Sequence, residues 1–295
     1  MDNNVTQFRI FDITNKSQRR MLVTGIVLSV LLRVLISLIY IPGDYANFLY
    51  PWIEEYRGYS FFEGLGQTIG NYYVPYNIIL DIMARLPFEP WIGIVFISVV
   101  MDYVVVYYLC MLVMRAHYNT TGKFSAKYMK NIRLLYVVAL FFPICFLDST
   151  IWRQCDSIYI GLCFIGVYYM FSRSYNKAFI FYGIAFAFKL QTVFILPFCF
   201  VYMICTNKSV IKSVLYFLYI PLTYVVCGLP SIIAGRGFLE TLGVYYGQTS
   251  DYEVMAMVVP SIYYFVLTDY SRFKLVAIAI TGAMLLAFLI SCYMY

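Results

Sequence analysis

The sequence predicts an all-α polytopic membrane protein, a bundle of transmembrane helices with interfacial helices in a large first external loop. Composition is the first observation behind this. Of 295 residues, 62% are hydrophobic and only 12% charged, against about 25% charged in an ordinary soluble domain. The second is that several apolar runs approach the roughly 20 residues a spanning helix needs. The third is placement: the +6 net charge is concentrated in short basic segments, the pattern of cytoplasmic loops and not of a nucleic-acid surface. Lipid offers backbone groups no partners, so the spans are expected to pack as one domain over 1–295.

Residues 1–20 are polar and end in Arg19 and Arg20, which puts the N-terminus in the cytoplasm. No small-residue cleavage site follows, so 21–41 reads as an uncleaved first span. Pro42, Gly43 and Asp44 end it. Residues 42–73 form the first external loop, acidic and rich in tyrosine, as suits helices lying in the interface. The run 74–88 is short, carries Asp81 and Arg85, and reads as interfacial or re-entrant. Residues 91–114 return, and 115–133 form a basic cytoplasmic loop. Residues 134–151 go out to the turn Asp148-Ser-Thr-Ile-Trp-Arg-Gln-Cys-Asp156, and 157–171 come back. The stretch 178–206 is long for one span and short for two; two half-spans meeting near Lys189 or one span are both open. Residues 213–234 go out, 235–256 form a second external loop, 257–268 re-enter, and 275–295 leave again. This makes a multi-pass protein of the cell membrane. There is no internal repeat.

Several chemistries are excluded early. His117 is the only histidine, so a histidine triad or histidine-rich metal site is ruled out. Eight cysteines lie mostly within apolar runs and form no Cys-x-x-Cys pair, which argues against a zinc or disulfide framework. Acid–base work falls to carboxylates, lysine or tyrosine. Only Asp2, Asp12 and Asp269 read as clearly inside, so functional acids are mainly external.

Asp44, just past the first span, is the leading candidate for taking a proton from an acceptor hydroxyl. The competing reading is that Gly43-Asp44 opens a turn or caps a helix. Asp156 either shares a pocket with Asp44 or caps the returning span. Lys189 lies in the apolar stretch Ala185-Phe-Ala-Phe-Lys-Leu-Gln191. A charge there costs about 2.5–3.5 kcal/mol on insertion scales and calls for a partner. A lipid phosphate is one; snorkelling to an interface is the alternative. Arg33 and Asp102 sit at similar depth in two spans and read as a structural ion pair, with Arg33 reaching a lipid phosphate as the other option. Gly70-Asn-Tyr-Tyr-Val-Pro-Tyr76 offers flat faces and hydroxyls suited to sugar rings, although interface anchoring explains the same residues.

Taken in order, Gly43-Asp44-Tyr45, Phe48-Leu-Tyr-Pro-Trp52, the Gly66-to-Tyr76 stretch, Gln154-Cys-Asp-Ser-Ile-Tyr159 and Ala185-to-Gln191 resemble the bacterial Gpi18-like mannosyltransferase-related family. Tyr245-Tyr-Gly-Gln248 and Pro260-Ser-Ile-Tyr263 add to the likeness, which covers roughly residues 21–265. The resemblance implies the GT-C glycosyltransferase fold, a polyprenyl-phosphate sugar donor and transfer on the outer membrane face to a glycan or glycolipid acceptor. It implies Asp44 as base or acceptor-positioning carboxylate, with Asp156 in the same pocket. Lys189, Gln191 and Arg153 would approach the donor phosphate. Trp52, Asn71, Tyr72, Tyr76, Gln154 and Gln248 would contact sugar or acceptor. Members differ in metal need, so a divalent cation stays an option and no metal ligand is assigned. They usually continue with further spans, so a short or truncated member is expected. Two other readings are a lipid-linked-sugar transporter or flippase, and a non-catalytic membrane subunit. The absence of a repeat and the gathering of polar residues in loops argue against the transporter.

Overall fold

The computed structural model describes residues 10–206, 209–248 and 270–294. All regular structure among these residues is helical. The expected re-entry at 257–268, with Asp269 and the Pro260-to-Tyr263 motif, lies outside them.

Helix α1 (Lys16–Ile39) starts at Asn15, whose side chain accepts from the backbone N–H groups of Ser17 at 2.9 Å and Gln18 at 3.2 Å. It ends at Tyr40, whose extended backbone leads toward Pro42. The segment read as the first external loop is itself largely helical. It holds a π-helical turn (Tyr45–Leu49), α2 (Tyr50–Arg57) and α3 (Phe61–Leu65). Pro51 occupies the first turn of α2, where its missing N–H costs nothing. Helix α4 (Val74–Arg85) has 12 residues, about 18 Å at 1.5 Å per residue, too short to cross about 30 Å of hydrocarbon.

Helix α5 (Pro90–Thr121) runs 32 residues and stops at Gly122, which takes a left-handed conformation (φ 69°). The expected basic loop 115–133 is therefore mostly helix. Only residues 122–125 connect α5 to α6 (Ala126–Leu140), and the Ser125 hydroxyl caps the new helix by accepting from Tyr128 N–H at 3.1 Å. Basic side chains on helix ends that outrun the apolar stretch gave the loop-like signal. Pro143 then breaks the chain, because proline disfavours helical backbone before it and cannot donate. Helix α7 (Pro143–Leu147) and a π-helical turn (Asp148–Trp152) continue at 53° to α6.

Helix α8 (Asp156–Phe171) packs between α5 and α9 (Tyr175–Phe188). Lys189 has an extended backbone (φ −155°, ψ 131°) that ends α9. A 3-10 segment (Leu190–Ile195) and α10 (Leu196–Thr206) follow, so two half-helices meet at Lys189, one of the two expected arrangements. Then come α11 (Val210–Phe217), α12 (Tyr219–Ile233), α13 (Phe238–Leu242), α14 (Val244–Gln248) and α15 (Tyr270–Met294).

Among the described residues, three stretches are long and apolar enough to cross a membrane: Lys16–Ile39, Pro90–Thr121 and Val210–Ile233. The bent pair of α6 with the segment through Trp152 makes a fourth if counted as one span. Asp156–Phe171, which covers the expected span 157–171, is shorter, as is Leu190–Thr206, the second part of the ambiguous stretch 178–206. The core is built from separate clusters. One, around Leu22, Val106 and Tyr136, holds α1, α5 and α6. A second, around Ile53, Tyr56, Leu80 and Ile94, fastens α2 and α4 to α5. That second cluster carries the site.

Candidate functional site

Asp44, Trp52, Asn71, Tyr72 and Gln154, with Phe48 and Leu49, line one cavity of about 140 Å³. The five polar or aromatic groups come from three separated segments, and local backbone chemistry positions each. Asp44 stands at the head of the π-helical turn, but its side chain makes no capping bond there. It accepts instead from the Gln154 side-chain amide. The capping explanation of Asp44 thus fails, and the carboxylate faces the cavity.

Gln154 is held from both sides. The Ser98 hydroxyl donates to its carbonyl at 3.1 Å. The preceding Arg153 is in a left-handed conformation (φ 55°), unusual for a side chain with a Cβ. Arg153 is 1% exposed. Its guanidinium donates to the carbonyls of Ser37 at 2.6 Å and Tyr40 at 2.8 Å, closing the carbonyl end of α1. It also lies 4.6 Å from the Trp91 ring centroid and 5.5 Å from that of Tyr45. Expected as a phosphate ligand, Arg153 instead ties the Gln154 turn to α1.

The opposite wall is aromatic. Gly70 has φ 68°, and a Cβ there would stand 2.7 Å from the Trp52 indole. Only glycine allows both this backbone and this approach. Trp52 meets Tyr72 edge to face at 5.9 Å, and Tyr72 meets Tyr76 at 4.7 Å. Burial, with Cys155 and Asp156 nearby, holds the Tyr72 phenol far above its usual pKa, so it remains a hydrogen-bond donor. Tyr76 is 1% exposed and stands behind Tyr72, away from the cavity lining. Gln248 donates to the Asn71 carbonyl at 2.5 Å, which fastens α14 to this wall.

Asp156 does not line this cavity. It occupies the first turn of α8, with Cys155 as the cap residue. Both its oxygens accept from Lys189 Nζ, at 2.6 and 2.7 Å. Lys189 thus has its partner within the chain, and Gln191 beside it is exposed. Burial pushes the intervening Cys155 thiol up to about 12, which keeps it inert.

Asp156 belongs to a second cavity, an apolar groove of about 690 Å³ between α5, α6 and α8 that also reaches Asp102 and Asp148. Asp102 accepts from Ser149 Oγ at 2.5 Å and Ser157 Oγ at 2.7 Å. Arg33 Nε lies 3.5 Å from Asp102 Oδ2, the oxygen that also accepts from Ser149, the ion pair expected from their depth. Asp148, Ser149 and Ser157 were not singled out as site residues. A third carboxylate beside a proline break was the available signal for Asp148; the serines carried none. Among the described residues no group of three or more His, Cys, Asp or Glu side chains is placed to hold a metal ion. Compared with known proteins, the chain matches no family model, no curated protein and no solved structure.

Proposed function

We propose that this chain is a membrane glycosyltransferase that moves a hexose, mannose or another, from a polyprenyl-phosphate donor to a glycan or glycolipid acceptor at the outer face. The observation that carries this reading is the cavity in which Asp44 and Gln154 face Trp52, Asn71 and Tyr72. Sugar recognition needs a flat apolar face for ring C–H groups and polar groups at its edges. A carboxylate among them supplies the proton acceptor.

In this reading Gln154 holds one Asp44 oxygen, and the other receives the acceptor hydroxyl. As that oxygen bonds to the anomeric carbon, its proton passes to Asp44. The bond from the anomeric carbon to the phosphate oxygen breaks, and polyprenyl phosphate leaves. A single displacement of this kind inverts the anomeric centre. Lys189 is an ammonium with three N–H donors. Asp156 takes two, and the third, with Gln191, is available to the leaving phosphate. The break at Lys189 favours a second reading, a lipid-linked-sugar transporter, since discontinuous helices mark such proteins.

The test is release of sugar from a panel of polyprenyl-phosphate sugars by membranes containing the chain, with Asp44→Asn alongside. Donor-dependent turnover in the parent and none in the variant supports the enzyme. Movement of intact donor across the bilayer without cleavage supports the transporter.

A further inference from the structure

We propose that the apolar groove between α5, α6 and α8 takes one hydrocarbon chain of a lipid whose head group bears an ammonium, and that Asp148 pairs with that ammonium. The proposal does not depend on sugar transfer.

The walls of the groove are Val105 and Leu109 from α5, Leu135 and Val138 from α6, and Ile160 and Phe164 from α8. It lies among helices that include membrane-crossing candidates, where hydrocarbon is the medium that fills such a space. Its polar end decides which lipid enters. Three carboxylates, Asp102, Asp148 and Asp156, reach that end. Two cations answer them. Arg33 and two serine hydroxyls satisfy Asp102. Lys189 binds both oxygens of Asp156 and is not among the groove's lining residues.

Asp148 has no ion pair among the described residues. Its nearest side-chain hydroxyl is Ser157 Oγ at 3.5 Å, and the single proton of that hydroxyl is committed to Asp102 at 2.7 Å. The end of the groove therefore carries one carboxylate more than it carries cations. In apolar surroundings such a charge requires a counter-charge or a proton. A phosphate head would face three carboxylates at this end, and Lys189, bound to both oxygens of Asp156, lies outside the groove's lining. An amine head supplies the missing cation and up to three donors for Asp148 and the Ser157 lone pairs.

The groove end adjoins the polar cavity across one turn, since Gln154 lines one and Asp156, two residues on, the other. A lipid seated here presents its head beside that cavity.

Native mass spectrometry of the full chain in detergent, with octadecylamine, octadecanol and octadecyl phosphate at neutral pH, tests the proposal. The amine should bind at least about tenfold tighter than either other head, the signature of one new charge pair. Asp148→Asn should bring the three to within about twofold of one another. Asp148→Glu should retain the preference, which separates loss of charge from loss of folding. Val138→Trp, which fills the groove without removing a polar group, should weaken all three. Equal binding of alcohol and amine would mean that Asp148 holds only a proton, and would overturn the proposal. Preference for the phosphate, or amine binding unchanged in Val138→Trp, would overturn it as well.

Discussion

The two cavities on either side of the Gln154-to-Asp156 turn use the same functional group in opposite ways. In the polar cavity Asp44 is held by one neutral amide and keeps an oxygen open to whatever enters. In the groove Asp102 and Asp156 are committed to cations and hydroxyls within the chain. A carboxylate surrounded by internal partners organises the bundle; one left with a spare lone pair at a cavity wall can act on a ligand. Partner count, more than residue type, separates structure from chemistry here.

The largest effect should come from breaking the internal side of this comparison. Arg33→Leu leaves Asp102 buried without its cation, and removing one partner of such a pair costs about 3–5 kcal/mol. Thermal unfolding in detergent should show a large drop, most of it recovered in the double variant Arg33→Leu/Asp102→Leu. A loss equal in both would mean that the pair is not the source of the stability.

Next comes the aromatic wall. Gly70→Ala forces a side chain into a left-handed backbone and against Trp52, a strain on the order of 1–3 kcal/mol. Lower thermal stability and a shifted Trp fluorescence are expected; an unchanged spectrum would separate Gly70 from the cavity. The Lys189 and Asp156 pair is intermediate, with side chains 16% and 21% exposed. A double-mutant cycle on unfolding should give a coupling above the roughly 0.2–1 kcal/mol of exposed pairs.

The smallest effect is at the periphery. Glu240 accepts from the Thr68 hydroxyl and from Arg236 Nε, and these bonds, Thr68 foremost, hold its carboxyl below the usual range. A group with a depressed folded pKa stabilises above its unfolded value, near 4.3, and loses that contribution as pH falls through the folded one. Hydrogen exchange over 236–248 should therefore quicken, after correction for intrinsic rates, on acidification from neutral pH to about 3. Glu240→Gln should show little further pH effect.

Much of this was legible in the sequence, for identifiable reasons. Composition and apolar run length specify a helical membrane chain, and the Pro42-Gly43-Asp44 signal marks the end of the first helix because its chemistry is local, whereas the break at Pro143 inside 134–151 was not read. The Arg33 and Asp102 pair was readable from equal depth in two helices. The gathering of Asp44, Trp52, Asn71, Tyr72 and Gln154 followed from resemblance and not from spacing, since long-range contacts leave no local periodicity. The tie from Arg153 to α1 is not legible in sequence, because its left-handed backbone and its bonds to the Ser37 and Tyr40 carbonyls are products of the tertiary fold. Asp148 escaped notice because a carboxylate matters when its partners are missing, and partners are visible only in three dimensions. The stretch 115–133 read as loop because charge marks where a helix leaves the membrane, not where it stops.

The central claim is that Asp44, through its uncommitted oxygen, accepts the acceptor's proton during sugar transfer. The most direct measurement is turnover of polyprenyl-phosphate sugars by the parent chain and by Asp44→Asn, at matched insertion. The account predicts donor-dependent sugar transfer in the parent and a loss of about 10²–10⁴-fold in the variant, with unfolding unchanged. Equal turnover in both would contradict it.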